Sequence, residues 1–150
     1  MSSIPARAAA AVAAATVLGL MPAAAGASPK TASSVSVARV QALTHGKPLV
    51  SGKVNVIAVH PQFGFAVSVR NGARERRNVA VKVLVRYRGT NQAPLVLKKT
   101  GSVAPGANTV RLPARPRILF AVRASLTVSV SDPAHRTTAV RHYAVIFSLG

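Results

Sequence analysis

The chain contains no cysteine and no tryptophan, and only two of its 150 residues are acidic, Glu75 and Asp132. The lack of cysteine excludes disulfides, thiolate nucleophiles and cysteine-based zinc or iron–sulfur sites. Glycoside hydrolysis by the usual route needs two carboxylates in one site, and the only two acids of this chain both lie in predicted turns, which argues against that reaction. Calcium is disfavoured as well, because its sites need several oxygen ligands and usually more than one carboxylate. We therefore expect a protein that is not an enzyme and that has no catalytic residue, no metal site and no cofactor.

The histidines are the remaining candidates for metal binding or catalysis, and their spacing favours neither. No two of them have the i, i+4 spacing of a helical zinc motif. Asp132 and His135 could contribute to a Ser-His-Asp triad, but no Gly-x-Ser-x-Gly turn accompanies them. We interpret all four as solvated or packing residues: His45, His60, His135 and His142.

Positive charge dominates the sequence, because it contains 20 lysines and arginines but only two acids, which gives a net charge of +18. Such a chain is attracted to polyanions, and this attraction weakens with salt. Arginine beside abundant alanine also reflects GC-rich coding. The excess charge is therefore either functional or a product of composition.

Residues 1–27 have the features of a cleavable signal peptide. Arg7 precedes a weakly apolar stretch over residues 8–21, and Ala25-Gly26-Ala27 supplies the small residues of a cleavage site. The apolar stretch is shorter than the ~20 residues that span a bilayer, which argues against the alternative of a retained anchor. We expect a secreted or extracytoplasmic, envelope-associated protein without a transmembrane span in its mature chain.

The mature sequence has the period-2 alternation of strands and no convincing helical window. Residues 28–52 read as a flexible leader with a first short strand at Val35, Val37 and Val40, and residues 53–150 as one folded domain. Within that domain Val54, Val56 and Ala58 alternate in one strand, residues 63–69 form another that ends at the turn dipeptide Asn71-Gly72, and residues 79–87 form a third. Short strands with turns every 8–12 residues indicate a sandwich or barrel. We predict an all-β, immunoglobulin-like β-sandwich of about seven to eight strands.

Several of these segments resemble the CARDB family, the cell-adhesion-related domain found in bacteria. An alternating strand ends in Asn-Gly over residues 65–72, and a valine-rich strand follows over residues 78–83. Residues 102–107 resemble the family's Pro-Gly turn, and residues 126–132 and 143–147 resemble its last two strands. The resemblance implies an immunoglobulin-like domain of bacterial extracellular proteins that serves adhesion or accessory binding, and it provides no catalytic residue.

The predicted strand order collects basic side chains on the outer face of one sheet. In an immunoglobulin-like sandwich, the strand over residues 79–88, the strand over residues 123–130 and the closing strand share a sheet. We expect its outer face, with a bordering strand and a loop at one end, to form an anion-binding surface. The candidates are Lys82, Arg86, Arg88 and Arg123 on the face, Lys98 and Lys99 at its border, and Arg115 and Arg117 on the loop.

Two functions follow from these features. The first is an exported, non-catalytic adhesion or accessory module whose basic face binds anionic envelope polymers or lipid headgroups. The alternative is a structural module that pairs with another protein through an edge strand or an apolar patch; Leu84, Ile146 and residues 118–122 are the apolar candidates, unless they belong to the core. Nucleic acid is disfavoured as a target because aromatic residues are few and export removes the usual partner.

Overall fold

The computed structural model describes residues 34–59, 63–115 and 121–149. The expected signal peptide, His60, Arg117 and residues 118–120 lie outside these ranges. The described residues contain eight strands and no helix, and they belong to a compact unit, Ser34–Gly150, which includes β1. The strands are β1 (Val35–Ala42), β2 (Val54–Val59), β3 (Gly64–Asn71), β4 (Arg77–Tyr87), β5 (Leu95–Val103), β6 (Gly106–Pro113), β7 (Val122–Asp132) and β8 (Thr137–Leu149).

The strands form two sheets, which confirms the predicted all-β sandwich of about seven to eight strands. One sheet has the order β1-β3-β6 and the other β2-β8-β7-β4-β5. All neighbours are antiparallel except β2 and β8, which pair in parallel. β4, β7 and β8 are therefore neighbours in one sheet, as the sequence predicts.

The core lies between the sheets and consists mainly of alternate valines. In β4 the valines at positions 79, 81, 83 and 85 are buried and the residues between them are half-buried or exposed, so one face of the strand packs inward. An aromatic cluster fills one region of the core. The ring centroid of Phe63 lies 5.5 Å from that of Phe65 and 5.4 Å from that of Phe147, and both pairs have edge-to-face geometry.

In β2, the side chains of the predicted alternating set point outward. Val54 and Val56 are 61% and 62% exposed, whereas Ile57, on the opposite face, is fully buried and pairs with Phe147 of β8. The predicted alternation of side chains in β2 is therefore correct, but the face that packs into the core is the one that carries Ile57. Neighbouring strands fix which set is buried, because a shift of one residue exchanges the faces.

The turn after Asn71 joins the two sheets and does not close a hairpin, because β3 and β4 lie in different sheets. Asn71 itself is the last residue of β3, and its side chain is buried. Its Nδ2 donates hydrogen bonds to the carbonyls of Glu75 (2.8 Å) and Val103 (3.2 Å), and its Oδ1 accepts one from the Ala73 N–H (3.0 Å). This amide therefore holds the connection in place.

Candidate anion-binding surface

Five of the predicted anion-binding residues share the outer face of the five-stranded sheet. Lys82 and Arg86 alternate with buried valines on β4, and Arg123 occupies the matching face of β7. Lys98 of β5 lies directly opposite Lys82. Arg88 follows β4, and its backbone N–H donates a 2.8 Å hydrogen bond to the Arg123 carbonyl. All five side chains are exposed, and we call this surface the basic face.

Three of these arginines line one groove of about 700 Å³ in the basic face. Arg86, Arg88 and Arg123 approach it from β4 and β7, and residues of β2 and β8 complete the lining. Guanidinium groups present planar forks of N–H donors that suit phosphate and carboxylate oxygens. The lining also includes Val54, Ser125, Thr127, His142, Ala144 and Ile146.

The strand register arranges the basic face in three bands. Cations occupy β4 and β5, with Arg123 beside them at the start of β7. Next to them β7 presents a row of hydroxyl groups from Ser125, Thr127 and Ser129, each opposite a β4 residue of the cationic face. On the far side, next to His142 of β8, the outward residues that pair across β2 and β8 are apolar: Val54 with Ala144 and Val56 with Ile146. The groove is therefore bordered by cationic groups, then by hydroxyl groups, then by a largely apolar surface.

Lys82 and Lys98 face each other directly across β4 and β5. Like charges at such a position destabilise a sheet, because the side chains of opposed residues lie close together. A bound anion would relieve this repulsion. The pair therefore extends the cationic band along the sheet from the three arginines of the groove.

The other predicted residues lie elsewhere. Lys99 points to the opposite side of β5, where its Nζ donates a 3.3 Å hydrogen bond to the Arg111 carbonyl. Lys98, Lys99 and Arg111 line a second cleft of about 470 Å³ between β5 and β6. Arg115 is exposed after the end of β6. Neither Lys99 nor Arg115 lines the arginine groove.

His142 and the β7 hydroxyls take part in the surface, although no role was predicted for them from the sequence. Thr127 Oγ1 and His142 Nδ1 are 3.1 Å apart and form a hydrogen bond within the groove lining. The alternation of Thr127 and Ser129 with buried Leu126 and Val128 is visible in the sequence. What identifies the row as part of a site is its position beside the β4 arginines.

A buried ion pair was also not predicted from the sequence. Asp132, expected in a turn, is the final residue of β7 and is fully buried. Its Oδ2 lies 3.0 Å from Arg77 Nη1 and 2.8 Å from His135 Nδ1. Burial raises the pKa of the Asp132 carboxyl, but the hydrogen bonds from His135 and Arg77 and the charge of His135 lower it by more, so the net pKa is below its ordinary value.

This cluster links the start of β4 to the end of β7 through Arg77 and Asp132. Asp132 and His135 are in contact, as a catalytic triad would require, but the same carboxylate oxygen also pairs with Arg77. Glu75 Oε1 lies 3.7 Å from Arg77 Nη2 on the exposed side. Both acids of the chain therefore contact one arginine, and neither lies on the basic face. The described residues include no group of three histidines, cysteines or acids that could hold a metal ion.

No protein-family model matches the chain, and no curated protein matches its sequence. The resemblance to the CARDB family therefore stays a prediction. Across the described residues, no helix is long and apolar enough to cross a membrane.

Proposed function

We propose that this protein is an exported, non-catalytic accessory module that binds anionic polymers of the cell envelope through its basic face. The observation that supports this proposal best is the groove lined by Arg86, Arg88 and Arg123. The adjoining hydroxyl row of β7 and the facing lysines of β4 and β5 extend it into a surface that suits a repeating anion.

The balance of charges favours a ligand with many negative groups. Of the two acids, Asp132 is buried against Arg77, and Glu75 lies beside the same arginine. No described carboxylate therefore neutralises the groove arginines. An exposed cluster of like charges creates a positive potential that attracts polyanions and speeds their association. A single small anion would use only part of this surface, whereas a polymer can contact the groove and the Lys82–Lys98 pair together.

The hydroxyl row provides a way to bind phosphate or carboxylate oxygens without more charge. Hydroxyl groups of Ser125, Thr127 and Ser129 can donate to anionic oxygens, and hydrogen bonds to ionised acceptors are stronger than those between neutral groups. The rigid sheet fixes their spacing relative to the arginines. Binding would therefore combine a salt-sensitive charge contribution with a smaller contribution from positioned hydrogen bonds.

The test is binding of long-chain polyphosphate to the purified protein over a series of salt concentrations. The groove variant carries Arg86→Gln, Arg88→Gln and Arg123→Gln. A matched control carries Arg39→Gln, Arg70→Gln and Arg74→Gln, three exposed arginines outside the five-stranded sheet. Both variants lose the same net charge, so a difference between them reports position and not total charge.

We expect the groove variant to bind more weakly than the control at each salt concentration. The slope of log affinity against log salt should become shallower by about 2 to 3 for the groove variant, because each phosphate that an arginine neutralises releases about one counterion. Equal reductions in the two variants would mean that only net charge matters and would contradict the proposal. Repeating the series with isolated cell envelope then tests whether the polymer is an envelope component.

A further inference from the structure

A second surface, at one edge of the five-stranded sheet, has a different character. Edge strands expose unpaired N–H and C=O groups, which proteins usually protect with charges, prolines or bulges. Among the described residues, β1, β5 and β6 have such protection. β1 contains Arg39 next to a register shift, β5 contains Lys98 and Lys99, and β6 contains Arg111 and Pro113.

The β2 edge has none of these protective features. Its six residues, Val54–Val59, include no charged residue and no proline, and its register with β8 is uninterrupted. The described residues form no strand on the other side of β2. Val54 and Val56 are more than 60% exposed, so apolar side chains accompany the free backbone groups.

Asn55 holds this edge in an extended conformation. Its Oδ1 accepts a 2.8 Å hydrogen bond from the Val50 N–H, and its Nδ2 donates to the carbonyls of Val50 and Ala144, both at 3.1 Å. The amide thereby ties β2 to the preceding turn and to β8. A preordered edge loses little conformational entropy when another strand is added.

We infer that the β2 edge binds an extended segment of an acidic partner protein by β-strand addition. In this mode, main-chain hydrogen bonds supply affinity and side-chain positions supply selectivity. Val54 and Val56 would contact every second residue of the added strand on the outer face. The inference rests on the backbone groups of the β2 edge, whereas polyanion binding rests on the arginines of β4 and β7; the two surfaces adjoin at Val54, which also lines the arginine groove.

Charge distribution argues for an acidic partner over a second copy of this chain. The chain carries a net charge of +18, and Lys53 directly precedes β2. Pairing of two β2 edges would bring together two strongly positive molecules, whose few acids are already beside Arg77. An acidic segment would instead be attracted by the field of the whole protein.

The experiment uses a fluorescent synthetic peptide with alternating valine and threonine and two glutamates at each end. The control peptide has the same sequence and charge, but its central backbone amides are N-methylated. N-methylation removes the hydrogen-bond donors of the peptide and blocks strand pairing while the electrostatic attraction remains. Binding is measured by fluorescence anisotropy, and its location by amide hydrogen exchange in residues 54–59.

The protein variants are Val56→Glu on β2 and Val96→Glu on β5. Both valines are exposed, at 62% and 45%, and they lie on the outer face at opposite edges of the same sheet. The two variants change the net charge equally. Circular dichroism checks that both variants remain folded. If one variant does not fold, the comparison of the two peptides on the wild-type protein still tests the inference.

We expect the unmethylated peptide to slow exchange in β2 and to bind at least about tenfold more tightly than the methylated one. Val56→Glu should weaken binding by a similar factor, and Val96→Glu should change it by less than about twofold. Equal binding of the two peptides, or protection outside β2, would overturn the inference. A dimer of the protein alone that dissociates on Val56→Glu would also overturn it, because the occupant would then be a second copy.

Discussion

The buried pair of Arg77 and Asp132 leads to a quantitative prediction about stability. In Asp132→Asn, the isosteric amide keeps the volume of the side chain but removes its negative charge. Arg77, whose side chain is only 8% exposed, would then be a buried cation without its anionic partner at 3.0 Å. His135 would also lose the carboxylate oxygen that lies 2.8 Å from its Nδ1.

The expected decrease in the free energy of unfolding is large relative to the total stability of a domain. Removing one partner of a buried ion pair costs about 3–5 kcal/mol, and we expect about 3 kcal/mol because the asparagine Oδ1 still accepts a hydrogen bond. A domain of this size has a total stability of about 5–15 kcal/mol. The midpoint of thermal unfolding should therefore fall by about 10–15 °C.

The pH dependence follows from the lowered pKa of Asp132. Between that pKa and the ordinary value of 3.8, the unfolded chain binds more protons at this position than the folded chain. The stabilisation from Asp132 is therefore complete above the ordinary value and is lost as the pH falls through the folded-state pKa. The difference in stability between the wild type and Asp132→Asn should be largest near neutral pH and should narrow in this acidic range.

The assay is urea unfolding followed by far-UV circular dichroism, repeated from neutral pH to below the ordinary pKa of the carboxyl. Glu75→Gln is the matched control, since Glu75 contacts the same arginine at 3.7 Å but is 69% exposed. An exposed pair contributes about 0–1 kcal/mol, so this variant should lose less than about 1 kcal/mol. Equal effects of the two substitutions, or a difference between Asp132→Asn and wild type that does not depend on pH, would refute the reasoning.

Two further predictions concern the backbone and the charged surface. Gly64 has a φ of +151°, and a Cβ there would lie against the carbonyl oxygen of Leu112 and 2.8 Å from Pro113 Cα. Gly64→Ala should therefore lower the free energy of unfolding, measured in urea, by about 3 kcal/mol. Gly101→Ala, where the Cβ meets nothing within 4 Å, is the control, and a comparable loss there would contradict this account. Lys82→Gln removes a charge directly opposite Lys98, so it should raise stability by about 0.2–1 kcal/mol while polyphosphate affinity falls. A loss of stability would show that the two charges do not repel.

Much of the fold could be predicted from the sequence because local periodicity reports which faces are buried. The alternating valines of β4 and β7 indicated two-faced strands, and the strands over residues 79–88 and 123–130 do lie side by side. β2 was harder, since Val54 and Val56 alternate as core residues do but are exposed. The face of β2 that is buried depends on the pairing with β8. In a short apolar edge strand, the local sequence does not show which of the two faces is covered.

The candidate site was predictable in part for the same reason. Arg86 and Arg123 could be placed on one outer face once their strands were assumed to share a sheet. Lys99 could not be separated from Lys98 by composition, and only the register of β5 against β4 puts them on opposite faces. The hydroxyl row of β7 became part of the surface only through its position beside the arginines of β4.

The sequence by itself determined the all-β class, the excess of positive charge and the shortage of acids and thiols, because these properties depend on composition and on a period of two residues. The tertiary structure decided which residues meet. It brought Asp132 to Arg77 across 55 positions, gathered three arginines around one groove and left β2 as an unprotected edge among the described strands. Contacts between residues far apart in the chain depend on strand order and register, which no local pattern specifies.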